Sequence, residues 1–464
     1  MMHLSQAASM LDAKLPGKDV LFNAVSKDTR NIHRGDLYVA IKGERFDGHA
    51  FVSQAAAAGA VAALVSEIQS DDLPQIQVAD TRLALGTLAA GWRRQFTGKV
   101  IGITGSNGKT TVKEMCRSIL VQHTDETKVL STQGNLNNDI GMPLTLLSLR
   151  EQHQFAVIEM GANHIGEIDY LTHIAQPDVA LVNNAAPAHI EGFGSLDNVA
   201  RAKAEIYSGL VDQGVAVINL DDNFAPLWLD ACKHKNCRTF SLQSANAYVH
   251  ASEIHTAGDA SQFVLHVGDE TTGVSLALPG EHNIMNALAA AAVCASLGVK
   301  ITTIAVALKN FSAVAGRLNI KQAVNGARLI DDTYNANPQS FNAAMQVLMA
   351  MPGTAWLAMA DMAELGNDAK ELHRALGVQA KKIGIHRLFA TGELSRETVQ
   401  GFGENAQWFT DHAALVAAVK TEINPDVVIL VKGSRFMAME KVVRELLAAT
   451  DQDKNISGNP REVN

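Results

Sequence analysis

Two kinds of apolar segment take turns along the chain. Leu37–Ile41, Lys99–Ile103, Phe155–Glu159, Val179–Val182 and Gly214–Leu220 are short and β-prone, and they predict strands. Gly35 and Asp36 supply turn residues ahead of the first of them. The alanine-rich run Gln54–Val65 and the stretch from Lys109 to Val121 read as helices. Helical patterns also cover Asp197–Leu210 and Asn283–Leu297. Strands that alternate with helices imply a parallel sheet covered on both faces. Thr239–Leu278 breaks that rhythm with short polar and apolar alternation, and predicts an antiparallel appendage.

The pattern changes near Thr97-Gly98 and restarts across Phe311–Arg317. Beyond it, Arg328–Ile330, Trp356–Met359, Arg387–Ala390 and Val427–Val431 predict strands, and Ser340–Met351 a helix. The last helix carries Met439, Val442, Val443, Leu446 and Leu447 as an apolar stripe. The fold class is therefore α/β with three domains. A small N-terminal α/β domain spans 1–97, a central P-loop-like parallel sheet spans 98–313, and a Rossmann-like doubly wound domain spans 314–449. The polar segment 450–464, with Gly458 and Pro460, is expected to be a disordered tail. The length of 464 residues suits three domains at about 150 residues each.

Composition narrows the class. Hydrophobic residues at 47% and charged residues at 19% mark a soluble globular chain. The formal charge of −9 gives no global basic footprint for nucleic acid. The longest apolar run, Ala55–Val65, is too short to span a bilayer, and Met1–Asp12 has no secretory pattern. Four cysteines are too few for a disulfide scaffold, which fits a reducing cytoplasm. Cys232 and Cys237, with His234 between them, lack a second ligand pair and read as structural rather than zinc-binding.

The chemistry begins where the Lys99–Ile103 run ends. Gly102-Ile-Thr-Gly105-Ser106-Asn107-Gly108-Lys109-Thr110-Thr111 stands between a strand and a helix. Glycines let the backbone wrap a polyphosphate, and helix-start amides face the anion. Lys109 adds a mobile positive charge, and Thr110 offers a hydroxyl to Mg²⁺. The spacing departs from the general Walker A pattern, since Ile103 occupies the place of its first glycine. Glu159 closes a neighbouring strand, where an acid reaches a cation shared with Thr110. His189 lies among glycines after another strand. Lys203 falls on or beside the apolar face of its helix, between Val199 and Ile206, where a snorkelling lysine is the plainer reading.

Thr104–Thr110 resembles the nucleotide loop of the Mur ligases and folylpolyglutamate synthetases. Thr132–Thr145, Glu159–Asn163, His189–Gly194, Asp331–Pro338, Asp361–Gly366 and Lys432–Arg435 resemble the D-alanyl-D-alanine-adding Mur ligases. Ser26–Arg30 with Lys42–His49 resembles the UDP-sugar-binding domain of that family. The resemblance runs from about residue 20 to about 447. The segment before Asp361 departs from the pattern, with Ala360 where a glycine is expected.

The resemblance implies an ATP-dependent amide ligase of peptidoglycan synthesis. It would join UDP-N-acetylmuramoyl-tripeptide to D-alanyl-D-alanine through an acyl phosphate. Thr110 and Glu159 would hold one Mg²⁺, while His189 and an N-carboxylated Lys203 would hold a second. Lys109, Glu159, His189 and Lys203 would form the catalytic set. The nucleotide would lie on Gly105, Ser106, Asn107, Gly108, Lys109, Thr110 and Thr111, with Asn283 and Asn286 at adenine, Arg317 at the phosphates and Asp332 at the ribose. Ser26, Asp28, Arg30, Lys42, Gly43, Asp47 and His49 would take the UDP-sugar. Asn135, Asn137, Asn138, Tyr334, Asn335, Asn337, Lys432, Ser434 and Arg435 complete the substrate set. The expected partners are small molecules, with no nucleic acid and no membrane insertion, and the expected state is a cytoplasmic monomer. Family members that add the third amino acid are expected to carry Asp-Asn-Pro-Arg, which is absent here. A P-loop ATPase driving a partner would not need two further domains with binding motifs.

Overall fold

The computed structural model describes residues 1–14, 17–43, 46–187, 190–257 and 259–448. The expected tail 450–464 lies outside the described residues, as does His189. The described chain forms two compact bodies. One holds Met1–Ala185, Ala200–His250 and Ala289–Ile304; the other holds Ala186–Val199, Ala251–Leu288 and the chain from Ala305 on.

The first body opens with a small parallel sheet in the order Val25–Ser26, Leu37–Val39, Ala62–Val65, Gln75–Gln77. The expected long helix over Gln54–Val65 is corrected here. The helix covers Val52–Ala58 and stops at Gly59, whose φ of 113° only glycine adopts without strain. Ala62, Ala63, Leu64 and Val65 are all fully buried in a central strand. Burial on both faces outweighs the helix propensity of alanine, which is worth only tenths of a kcal/mol per residue. Asp80 then caps the helix Thr81–Arg93 by accepting from the amides of Arg82 and Leu83.

A second sheet in the same body places six parallel strands in the order Asn236–Ser241, Val215–Asn219, Val179–Val182, Lys99–Thr104, Phe155–Glu159, Val129–Ser131. Lys99–Thr104 is the turning point of that order, so its carboxyl end opens the crevice where such sheets bind ligands. One continuous core joins both sheets, with Leu64, Leu85, Leu88, Leu146, Ile158 and Leu171 among its members. Arg82 and Asp139 form an ion pair across the same join. The helix bearing Lys203 ends sooner than its periodicity suggests. It spans Leu196–Ala204 and tightens into a 3₁₀ turn over Glu205–Tyr207.

The antiparallel reading of Thr239–Leu278 needs correction at its start. Residues 239–241 belong to the parallel strand Asn236–Ser241, in register with Val215–Asn219. The antiparallel hairpin is Ala260–Val267 against Glu270–Leu276, in the second body. Alternation marks half-buried strands of either direction, so it does not report which way a strand runs.

The second body also carries a six-stranded sheet in the order Asn319–Gln322, Arg328–Asp332, Val427–Lys432, Thr354–Ala360, Arg387–Thr391, Ala406–Phe409. Only the first pair is antiparallel. Phe341, Leu348, Leu357 and Met359 fill one face, and Trp356, Phe389, Ile429 and Val443 the other. Helices on both faces make this the doubly wound domain expected from the sequence. Among the described residues, no helix is long and apolar enough to cross a membrane.

Candidate active site

The glycine-rich loop joins the strand Lys99–Thr104 to the helix Lys109–His123. Gly108 caps that helix at φ 78°, a conformation that points the following amides along the helix axis. A Cβ on Gly105 would come within 3.0 Å of Asn183. The loop is scaffolded by the two asparagines that follow the strand Val179–Val182. Ser106 N–H donates to the Asn184 carbonyl at 3.0 Å, and Asn107 N–H to Asn184 Oδ1 at 2.8 Å. Asn183 Nδ2 donates to the Asn107 carbonyl at 3.0 Å. The Ser106 and Asn107 amides thus serve the loop itself. Asn183 and Asn184 were missed by sequence reasoning, although a polar pair directly after a parallel strand is a usable signal. Lys109 Nζ folds back to donate to the Gly105 carbonyl at 2.6 Å.

Glu159 ends its strand with 2% exposure. Thr110 Oγ1 donates to Glu159 Oε2 at 2.9 Å, and Asn137 Nδ2 donates to Glu159 Oε1 at 2.8 Å. The Glu159 amide donates to Thr132 Oγ1 at 3.0 Å, and buried Lys113 donates to the Thr132 carbonyl. A hydroxyl and a carboxylate side by side, beside a polyphosphate loop, suit one hard divalent cation that takes its other ligands from phosphate and water. Among the described residues, no cluster of three His, Cys, Asp or Glu side chains stands ready to hold a metal.

Lys203 is 3% exposed and near enough to Lys109 to feel its charge. Burial first, and the Lys109 charge second, push the Lys203 ammonium well below its usual range, while Glu205 opposes them. Glu205 itself accepts from the amides of Gly166 and Asp169 at 2.8 and 3.1 Å. The structure therefore brings Lys109, Thr110, Glu159 and Lys203 into one neighbourhood.

In the N-terminal sheet, most candidate polar groups hold one another. Arg30 grips Asp28 from Nε and Nη2, which draws the Asp28 carboxyl down to about 2. Ser26 Oγ and Asp28 close a tight turn. His49 Nδ1 donates to Asp47 at 2.6 Å, so its Nε2 accepts from the Ser66 amide at 2.9 Å. Lys42 Nζ lies 3.7 Å from Asp47, and the Gly43 amide donates to the Phe46 carbonyl. Ser66, at the carboxyl end of a central strand, was not found from sequence.

In the second body, Arg317, Asp332, Tyr334, Asn335, Lys432 and Arg435 converge where the strands Arg328–Asp332 and Val427–Lys432 end in register. Lys432, 1% exposed, reaches Asp332 Oδ2 at 2.5 Å and the Asn335 carbonyl at 2.9 Å. The guanidinium of Arg317 lies 4.1 Å from the Tyr334 ring centre, and that of Arg435 lies 5.9 Å from it. Two candidates also carry scaffold hydrogen bonds. Asn337 caps the helix Pro338–Ala350 by accepting from Ser340. Ser434 donates to the Asp361 carbonyl and accepts from the Ala363 amide at 2.7 Å, so its hydroxyl proton is already committed. Asn283 and Asn286 are both buried on the helix Glu281–Ser296, with Asn283 Nδ2 donating to the Pro279 carbonyl. Their neighbour His282 is pushed down to about 4 by burial.

Comparison with known proteins covers nearly the whole chain. Residues 22–93 match the Mur ligase family catalytic domain, 103–294 the Mur ligase middle domain, and 316–435 the Mur ligase glutamate ligase domain. A UDP-N-acetylmuramoyl-tripeptide–D-alanyl-D-alanine ligase of Escherichia coli K12 is 47% identical over 96% of this chain and 98% of its own. The enzyme of that description from Haemophilus influenzae is 42% identical over 95% and 97%. A crystal structure of MurF from Acinetobacter baumannii superposes with a TM-score of 0.89 at 38% identity, over 96% of this chain and 98% of that one.

Proposed function

The chain belongs to the Mur ligase family, and we propose on that premise that it joins D-alanyl-D-alanine to UDP-N-acetylmuramoyl-tripeptide at the expense of ATP. The observation that carries the reading is the Thr110–Glu159 pair at the mouth of the glycine-rich loop. It supplies the charge-handling that phosphoryl transfer to a carboxylate needs.

A carboxylate is a poor electrophile, because attack by an amine would have to expel an oxide. Transfer of the ATP γ-phosphoryl group to one carboxylate oxygen gives an acyl phosphate and ADP. The dipeptide amine then attacks the carbonyl carbon, the C–O bond to phosphate breaks, and phosphate leaves as the amine gives up a proton. Lys109 lies at the loop that wraps the phosphates and follows the charge on the transferring group. A Mg²⁺ held by Thr110 and Glu159 would neutralise charge between the outer phosphates. Phosphate and carboxylate groups brought together repel each other, and Lys109 with the helix-start amides offsets that repulsion.

Lys203 fits a second role. A buried neutral amine attacks CO₂ at carbon, loses a proton and becomes a carbamate, an oxygen donor where an ammonium would repel a cation. With His189 it would hold a second Mg²⁺. On the UDP-sugar side, the carboxyl ends of the N-terminal strands, with Lys42 and the His49–Ser66 pair, form the proposed cradle. In the second body, Asp332, Tyr334, Asn335, Lys432 and Arg435 are the proposed contacts for nucleotide and dipeptide. The chain is proposed to work as a cytoplasmic monomer on small molecules.

The test is product mass and phosphate release with purified protein. Phosphate release above background is expected only when ATP, Mg²⁺, the UDP-tripeptide and D-alanyl-D-alanine are all present, with one pentapeptide product per phosphate. Equal release with ATP and Mg²⁺ alone would point to a partner-driven ATPase instead.

A further inference from the structure

We propose that Asn137 is a positioning residue for the Glu159 carboxylate, so that the loop from 135 to 141 sets how tightly the nucleotide's divalent cation is held. This rests on the ligase reading above and deepens its metal site. The sequence suggested that Asn137 meets substrate; the geometry points elsewhere.

Asn137 is fastened to the end of the Phe155–Glu159 strand at two points. Its carbonyl accepts from the Gly161 amide at 2.8 Å, and its side-chain amide donates to Glu159 Oε1 at 2.8 Å. Gly161 is shaped around it, since a Cβ there would lie 3.1 Å from the Asn137 amide group. Glu159 Oε2 meanwhile accepts from Thr110 Oγ1 at 2.9 Å. Each carboxylate oxygen therefore holds one donor and keeps a lone pair for a cation. With a donor on both oxygens, the plane of the carboxylate is fixed before any metal arrives. Without Asn137 the Oε1 side is unsupported, and ordering the carboxylate is charged against cation binding.

The loop itself is held at its far side. Asn138 Oδ1 accepts from the Gly141 amide at 2.8 Å, opening the helix Gly141–Leu147. Asp139 pairs with Arg82 at the start of the helix Thr81–Arg93. A Cβ on Gly141 would fall 2.5 Å from Leu136 Cα, so the turn has little room to shift. Partners that orient metal ligands from behind typically carry about 10–100-fold in metal affinity when removed.

The experiment compares full-length wild type with Asn137→Ala and Gly161→Ala, using Mn²⁺ with ADP and no other substrate. Bound Mn²⁺ is read by electron paramagnetic resonance. The Mn²⁺ dissociation constant in the presence of ADP is expected to rise by about 10-fold in Asn137→Ala. ADP binding with EDTA present should stay at the wild-type level. Gly161→Ala keeps the amide but displaces it, so it should move the constant in the same direction and covers the case where Asn137→Ala fails to fold. Wild-type Mn²⁺ affinity in the folded variants, with a raised KM for the UDP-tripeptide, overturns the proposal and makes Asn137 a substrate ligand. Failure of the wild type to bind Mn²⁺ with ADP would instead sink the ligase reading.

Discussion

At the scale of single residues, the site is built from side chains whose meaning depends on what surrounds them. Lys203 is the clearest case. On a helix its spacing from Val199 and Ile206 is that of a lysine laid along an apolar face. Only the fold supplies its 3% exposure and the nearby Lys109 charge, which together push its ammonium well below the usual range. Lys203→Ala is expected to lose nearly all ligation, and short carboxylates such as formate or acetate should restore part of it by standing in for the carbamate. A ¹³C signal from labelled bicarbonate should appear in the wild type and vanish in the variant. Full activity in Lys203→Ala without additives would end the carbamate assignment. Glu159 and Thr110 were legible in sequence because strand ends and glycine-rich turns have fixed chemistry. Ser434 and Asn337 were not, because whether a hydroxyl or amide faces a ligand or the backbone is settled by neighbours distant in the chain. Ser434 is tied to Asp361 and Ala363, about seventy positions away.

At the scale of elements, periodicity located the four inner strands of the doubly wound domain and the helices Pro338–Ala350 and Glu440–Leu446, but not the edge strands Asn319–Gln322 and Ala406–Phe409 or the three helices between residues 369 and 422, and the errors are informative. Gln54–Val65 carried too little chemical contrast for a pattern to show that Gly59 divides helix from strand. The helices Ala369–Lys382 and Ser395–Phe402 show a feature no pattern announces. A Cβ on Gly377 would lie 2.0 Å from the Thr398 carbonyl oxygen, and one on Gly401 would lie 2.2 Å from the Arg374 carbonyl oxygen. The two helices therefore cross with backbone against backbone. Replacing Gly377 by alanine gains about 1 kcal/mol of helix propensity. It also drives a methyl into a main-chain oxygen that cannot rotate away, a strain of about 1–3 kcal/mol or more. The clash is expected to win. Gly377→Ala should lower the melting temperature and Gly401→Ala should do likewise; a rise in either would show that the helices separate at little cost.

At the scale of the whole molecule, nucleotide binding and stability are linked. A ligand that binds only the folded chain adds about 2.7 kcal/mol at 100 times its dissociation constant. Mg²⁺ with ADP is therefore expected to raise the melting temperature in a thermal scan. Lys109→Ala should lose most of that rise, and a full shift in the variant would remove Lys109 from the phosphate site. By itself the sequence determined the α/β class, the three-domain plan, the phosphate loop and the acid beside it. These follow from local rules: side-chain period, turn chemistry, and the need of a polyphosphate for glycine, lysine and a hydroxyl. Tertiary structure alone decided that Lys203 is buried within reach of the Lys109 charge, that Asn183 and Asn184 hold the loop, and that Asn137 turns to Glu159. Desolvation and hydrogen-bond partnership depend on atoms brought together from far along the chain, and no local pattern encodes that distance.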